Sequence, residues 1–545
     1  MKTFRITMIY MLTVGLYASV WAQNSSDTYT VGGAVFDRDI ISPTDILELS
    51  QRQTFSTARS QAMGGAFTSL GADLASVAYN PAGLGMYQRN DISVSLAFDV
   101  DRSSTVGQQT VQWGRNTNTR FGFNNIGLAL NLYKGNSKIK SVTFAIAYNK
   151  MADYNYNRSF SSSGNVGSLA DAFSDLAQAG NLFINADNHI TDRSGNVDYN
   201  MNPYYWGDVL AYKCGLINNP TNSQWYPDEI GNGAMMDHFY NIRSRGSAGE
   251  ISFAVGANLN NILYFGASLD VATIRRTQHI YYGENINYNQ EPSFDELPTQ
   301  LRTFGYQQAT KLSGIGIAAK FGLTLRPVSM LRIGFAIHTP TYYSMSYQYD
   351  GRMQSEAYTQ RGVLRADEIS LLLVDDREYR WKFSTPTRIL TGVSYAFPYA
   401  ILSADYEYDR YNSMTYSGAP FNVSSYNTDI KMNFKNAHIL RVGLEIPMKN
   451  SYLRAGGGIV SRMVNDDTIL TNAAVMKAWN ISCGLGFKVL SNCRIDLSYA
   501  YRQDSLTDYL LYYSINDTTG ARNESGIYNS KLLRHNIAVS FSYTW

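Results

Sequence analysis

Residues 315–337 read IGIAAKFGLTLRPVSMLRIGFAI. Ile315, Ile317, Ala319, Phe321, Leu323 and Leu325 fall on alternate positions, with Gly316, Ala318, Lys320, Gly322 and Thr324 between them. After Pro327–Met330 the alternation resumes at Leu331, Ile333, Phe335 and Ile337, against Arg332, Gly334 and Ala336. A period of two with one apolar face marks β-strands, and the short break marks a tight hairpin turn. The opposite face mixes Lys320 and Arg332 with glycine and alanine. The fold therefore turns on which medium each face meets.

The same alternation recurs near residues 91–100, 126–132, 142–148, 251–259, 263–271, 388–397, 401–410, 438–446, 451–460, 479–489, 494–502 and 533–545. With the opening hairpin this makes about fourteen strands. Two packed sheets would also alternate, but would have turns of similar length at both ends. Here short connections (134–139, 260–261, 327–330, 398, 448–450, 491–492) alternate with long ones (101–119, 151–246, 277–303, 349–379, 411–431, 464–474, 505–530). That asymmetry predicts an all-β, transmembrane antiparallel β-barrel of about 14 strands, with periplasmic turns and extracellular loops. Beyond residue 22 no run approaches eighteen apolar residues, so a membrane crossing must be made by a closed barrel. An even strand number places both chain ends in the periplasm.

Lys2 and Arg5 precede an apolar run from Ile6 to Val20, and Val20-Trp21-Ala22 supplies small residues for cleavage. Residues 1–22 read as a signal peptide, followed by polar Gln23-Asn24-Ser25-Ser26. The last strand, His535–Trp545, places Ile537, Val539, Phe541, Tyr543 and Trp545 on one face and ends on an aromatic residue. This resembles the terminal signal read by bacterial barrel-assembly machinery, which makes that machinery a partner and the bacterial outer membrane the destination.

The chain has 46 basic and 44 acidic residues. Without Lys2 and Arg5 the balance is 44 to 44, and no basic block points to nucleic acid. Cys214, Cys483 and Cys493 are too few for a disulfide framework and read as free thiols. The six histidines (189, 238, 279, 338, 438, 535) show no metal-motif spacing, and there is neither a nucleophile elbow nor a phosphate loop. The pairs Asp375-Asp376 and Asp466-Asp467 read as solvated loop residues, and Gly456-Gly457-Gly458 as a bend or a close backbone approach. These features predict no enzyme, no cofactor and no metal. Within loop 151–246, Leu169, Phe173, Leu176 and Gly180 mark one face of a short amphipathic helix, and 366–374 (ADEISLLLV) is a second apolar loop patch. Either packs on neighbouring loops or offers a groove to greasy solutes.

The stretch Ala58–Gly83, ARSQAMGGAFTSLGADLASVAYNPAG, resembles the N-terminal signature of the FadL/TodX family of outer-membrane transporters for long-chain fatty acids and other hydrophobic compounds. The resemblance continues at 316–340, at STPTRILTGVSYAF (384–397), and at LRVGLEIP and YLRAGGGI within 440–459. It implies a hatch, about residues 23–88, folded inside a barrel formed by 89–545. It further implies uptake at an extracellular site and release through an opening near the third strand, residues 140–150. Gly64, Gly65 and Ala66 would permit close packing inside the lumen. Asn80, Pro81 and Ala82 would anchor the hatch where it meets strand one, because proline fixes its own φ and asparagine bonds neighbouring backbone. The chain departs from the family in its large 151–246 segment and in a lead of some thirty-five residues before Ala58. No ligand-binding side chain is carried over.

The function these readings imply is passive, hatch-gated uptake of hydrophobic small molecules, fatty-acid-like or detergent-like lipids, by a barrel that needs no oligomer. The alternative is an interaction barrel of a protein secretion system, PorV-like, with loop 151–246 as its partner surface.

Overall fold

The computed structural model describes residues 30–31, 43–53, 55–107, 111–112, 115–165, 167–196, 206–220, 224–227, 230, 234–288, 293–295, 299–369, 379–418, 423–465, 469–470, 475–506, 513–515, 522–524 and 528–545. The signal-peptide reading, 1–22, lies outside these residues, as do both acidic loop pairs.

Fourteen antiparallel strands close into a barrel. They are β1 (Asp91–Gly107), β2 (Arg115–Lys134), β3 (Ile139–Asp153 and Tyr156–Asn165), β4 (Ala234–Leu259), β5 (Leu263–Tyr288), β6 (Thr299–Val328), β7 (Leu331–His338 and Tyr342–Thr359), β8 (Tyr379–Ser384 and Arg388–Ala396), β9 (Ile401–Asp409 and Thr415–Ser417), β10 (Ala437–Pro447), β11 (Ser451–Val460), β12 (Val475–Leu490), β13 (Cys493–Leu506) and β14 (Tyr528–Thr544). Each pairs with its sequence neighbours. Closure is made by β1 on β14, in register from Asp91↔Thr544 to Gly107↔Tyr528. Asn90 and Trp545 exchange both backbone hydrogen bonds at 3.2 Å. Closure leaves no unpaired edge, the condition for standing in hydrocarbon.

The outer face carries a continuous apolar band: Ile251, Phe253 and Val255 on β4, Phe265 and Leu269 on β5, Ile315, Ile317, Phe321 and Leu323 on β6, and Ile333 and Phe335 on β7 are all exposed. From Ile251 to Leu259, or from Ile315 to Leu325, the run matches the roughly 9–11 residues a tilted strand needs to cross a membrane. The inner positions of the same strands are buried, among them Ala254, Asp270, Lys320 and Ala336. Ile537, Phe541, Tyr543 and Trp545 of the last strand also face outward. Cys483 and Cys493 are exposed and half-buried, Cys214 is buried, and all three are free.

The strands run further than the sequence pattern suggests. Residues 277–288, 299–303 and 349–359 continue the ladders, and 362–369 pairs back on β7 as a hairpin. The largest loop lies between Asn165 and Ala234, not across 151–246. The reason is physical: above the membrane the outward face meets water, so Thr303, Gly305 and Gln307 occupy it and the apolar alternation vanishes although the pairing persists. The amphipathic helix is present as Leu169–Ala179, capped by Ser168 and Asp171. Its Leu169 and Phe173 enter an apolar core with Trp225, Tyr240, Tyr282 and Tyr306, which roofs the long-loop end.

Strand β3 is interrupted at Tyr154–Asn155. Asn155 Nδ2 donates to Asp153 Oδ1 and to Gly246 O, both at 2.8 Å, and Gly246 N donates to Asn155 Oδ1 at 3.2 Å. The break lies just past the 140–150 stretch at which the resemblance points.

Candidate functional site

Residues 43–53 and 55–88 lie inside the barrel, and three levels of contact hold them. The upper level is an apolar chamber below the roof. The helix Pro43–Ser50 occupies it, with Ile46, Leu47 and Leu49 packed among Tyr154, Tyr343, Trp381, Phe383 and Tyr416. Tyr343 and Trp381 stack on Phe383 with centroids 5.0 and 5.2 Å away. Eight residues are too few for a stable isolated helix. Proline opens this one, Asp45 lies in its first turn, and Arg388 Nη2 donates to the C-terminal carbonyl of Ser50 at 2.7 Å. Burying each of the three aliphatic side chains contributes roughly 1.5–3 kcal/mol. Tyr154 Oη adds a hydrogen bond to Leu49 O at 3.0 Å.

Beneath the chamber the lumen is charged. Glu250 accepts from Lys320 Nζ and, at 3.1 Å, from Arg52. Glu407 pairs with Arg441 at 2.5 Å and with Arg388 at 3.6 Å. Glu445 pairs with Arg454 at 2.6 Å and Arg59 at 3.0 Å. Asp496 joins Arg454 and Arg494 at 2.7 and 2.8 Å, and Arg494 reaches Asp73 at 3.4 Å. Arg52, Arg59 and Asp73 come from the inner segment; their partners come from the wall. Such buried pairs add little net stability, but removing one partner costs about 3–5 kcal/mol. The belt thus fixes the position of the segment. Two pockets share Gln53 and Phe55 as a wall; charged residues line both, Lys150 and Arg441 in one, Arg120 and Arg534 in the other.

The lowest level contains the residues singled out in the sequence. Asn80 caps the 3₁₀ helix Pro81–Met86: its Oδ1 accepts from Ala82 N at 3.0 Å. Its Nδ2 donates to Thr68 O at 2.7 Å and to Thr324 Oγ1 and Leu323 O on β6 at 3.1 and 3.2 Å. Wall glycines make room for this turn: a Cβ on Gly256, Gly266 or Gly322 would overlap Leu84, Pro81 or Asn80. Gly64, at φ +66°, presses on the backbone of Gly457, and Gly456 on Met63 and Gly64. The Gly456–Gly458 run is thus a close backbone approach. Gly65 also has positive φ, 79°. Asn80, Pro81 and Ala82 therefore meet β4, β5 and β6, while Gly64 meets β11, across the lumen.

Sequence reasoning missed the belt and the chamber. Lys320, Arg454 and Asp496 occupy the inward parity positions that marked their strands, but their partners become adjacent only on closure.

The architecture is that of a closed membrane barrel with a chain segment inside it. Neither a protein-family model nor a curated protein matches the sequence. Solved structures do. A Pseudomonas aeruginosa FadL homologue is similar at TM-score 0.51 and 10% identity, over 91% of this chain and 99% of that one. The Ralstonia pickettii toluene transporter TbuX gives TM-score 0.48 and 13% identity over 90% and 99%, and the Pseudomonas putida toluene transporter TodX gives 0.47 and 11% over 91% and 99%. The first of these shares the fold of this chain.

Proposed function

We propose that the protein is a bacterial outer-membrane transporter that admits hydrophobic small molecules through the aromatic chamber, with the segment 43–88 as its hatch. The observation that carries this reading is the occupant of the chamber. Ile46, Leu47 and Leu49 fill a space walled by Tyr154, Tyr343, Trp381, Phe383 and Tyr416, and a greasy solute of similar bulk would make the same contacts once the helix withdraws. A solute can shift the hatch only through its higher affinity for the withdrawn state. The solved structure that shares the fold is described as a FadL homologue, in keeping with this reading. The ion-pair belt argues for departure from the chamber through the wall, because an apolar solute gains nothing by displacing paired charges. Asn80, Pro81 and Ala82, with Gly64 and Gly65, would act as the fixed lower anchor, and the C-terminal strand would direct assembly.

The test is deletion of residues 43–50. A correctly inserted deletion variant should take up a hydrophobic fluorescent probe faster in vesicles, while ion conductance in planar bilayers changes little because the belt and lower anchor remain. Unchanged probe uptake would refute the chamber as the route.

A further inference from the structure

We propose that the outer wall carries a binding site for the phosphorylated headgroups of anionic lipid, formed by Arg243 and Arg245 on β4, Arg275 on β5 and Lys311 on β6. All four side chains are exposed and point outward. The ladders make them neighbours. Arg245 faces Thr277, which faces Lys311, so the three form one row across three strands. Arg275 lies one outward position below, between Ser247 and Ser313. Arg243 lies one above, opposite His279. Adjacent strands are about 4.8 Å apart and outward positions about 6.8 Å apart along a strand, so the cluster spans roughly the size of one lipid headgroup.

Its height is the second observation. The apolar band stops at Ile251 on β4, Val271 on β5 and Ile315 on β6, and the cations begin within four to six residues of those points. Only Gly249, Ser247, Thr273 and Ser313 intervene on the outward face. The charges therefore stand at the headgroup level of the leaflet on the long-loop side. The third observation is that they lack acidic partners. Inside the barrel Arg52, Arg59, Arg276, Arg388, Arg441 and Arg454 all pair with carboxylates. Higher on the outside, Arg352 and Arg365 pair with Asp367 and Glu356. Among the described residues Arg243, Arg245, Arg275 and Lys311 form no ion pair. Guanidinium groups match phosphate oxygens bidentately, and flanking serine and threonine hydroxyls donate to the same oxygens. Basic clusters beside a membrane attract anionic headgroups in this way.

This rests on the membrane setting of the proposed function, and the experiment separates the two. Wild type and the variant R243Q/R245Q/R275Q/K311Q are purified in nonionic detergent and titrated with diphosphoryl lipid A, with the dephosphorylated lipid and with inorganic phosphate. Wild type should prefer the diphosphoryl lipid by tenfold or more, with a preference that shrinks as salt rises, and the variant should lose it. R352Q/R365Q should retain it. Equal binding of both lipids by wild type, retention of the preference by the quadruple variant, or inorganic phosphate binding as tightly as the lipid would overturn the proposal. Insertion into vesicles is scored in parallel; failure of wild type to insert would count against the membrane barrel itself.

Discussion

Arg276 Nη1 donates to Glu48 Oε2 at 2.6 Å, and its Nη2 to Asp45 Oδ1 at 2.5 Å, so one guanidinium on β5 holds both carboxylates of the chamber helix. The arginine is almost fully buried, whereas the two acids keep some contact with water. In Arg276→Gln the acids can rehydrate, so the loss falls on helix docking and not on the barrel. Glutamine can still donate to one of the two acids, so the net loss is that of one charge-assisted bond, about 1.5–3 kcal/mol. A thiol at Leu47, introduced as Leu47→Cys, should then react with a small reagent roughly 10–100-fold faster in the Arg276→Gln background. Equal rates would show that the clasp does not hold the helix.

Gly456 supplies a steric test of the lower anchor. A Cβ there would overlap the backbone of Met63 and Gly64 and lie 2.6 Å from Met63 O. Backbone cannot swing aside as a flexible side chain can, so Gly456→Ala should shift the inner segment, at a cost of about 1–3 kcal/mol. Ion conductance in planar bilayers should rise. Gly122→Ala, where an added Cβ meets nothing within 4 Å, is the matched control and should leave conductance at the wild-type level.

The wall makes its own prediction. Phe335 is exposed in the apolar band and pairs with Leu323 on β6 and Thr391 on β8. Phe335→Arg should destabilise the inserted barrel by roughly 2–4 kcal/mol if the site lies near the midplane. Urea titration of refolding into lipid vesicles would read the change. An unaltered midpoint would remove Phe335 from the lipid face.

These positions differ in how plainly the sequence announces them. Phe335 was legible because lipid demands an unbroken apolar parity, and no tertiary knowledge is needed to read it. Gly456 was legible as a glycine run inside a strand, but its partner Gly64 lies nearly four hundred residues away and only closure brings them together. Arg276 gave no signal. It lies where the outward face has already turned polar, so its strand appeared to have ended, and PTDILELS is too short for periodicity to distinguish a helix. The belt residues read as an ordinary polar face for the same reason: pairing across the lumen leaves no trace in local order.

Glu284 and His238, which stand more than ten residues beyond the lipid-facing stretches of β5 and β4, should exert opposing pH effects on the roof. Glu284 accepts from Ser168 Oγ at 2.6 Å, Leu169 N at 2.7 Å and Tyr282 Oη at 2.5 Å, so it anchors the start of the helix Leu169–Ala179. Burial nevertheless outweighs these bonds and pushes its carboxyl up to about 7. His238, 3.7 Å from it, is pushed down to about 4 by burial, against the opposing pull of the Gly167 carbonyl. Unfolded reference values are about 4.3 and 6.5. The stability tied to Glu284 is full below about 4.3 and is lost as pH rises through 7; that tied to His238 is full above about 6.5 and is lost as pH falls through 4. Between about 4.5 and 6.5 the two slopes oppose, so hydrogen-exchange protection of the 169–179 amides should be nearly flat with pH in wild type. In Glu284→Gln the histidine acts alone, and protection should fall as the sample is acidified across that window. In His238→Gln the sign reverses, and protection should fall as pH rises towards 7. Parallel profiles in all three proteins would show that this pair does not set the stability of the roof.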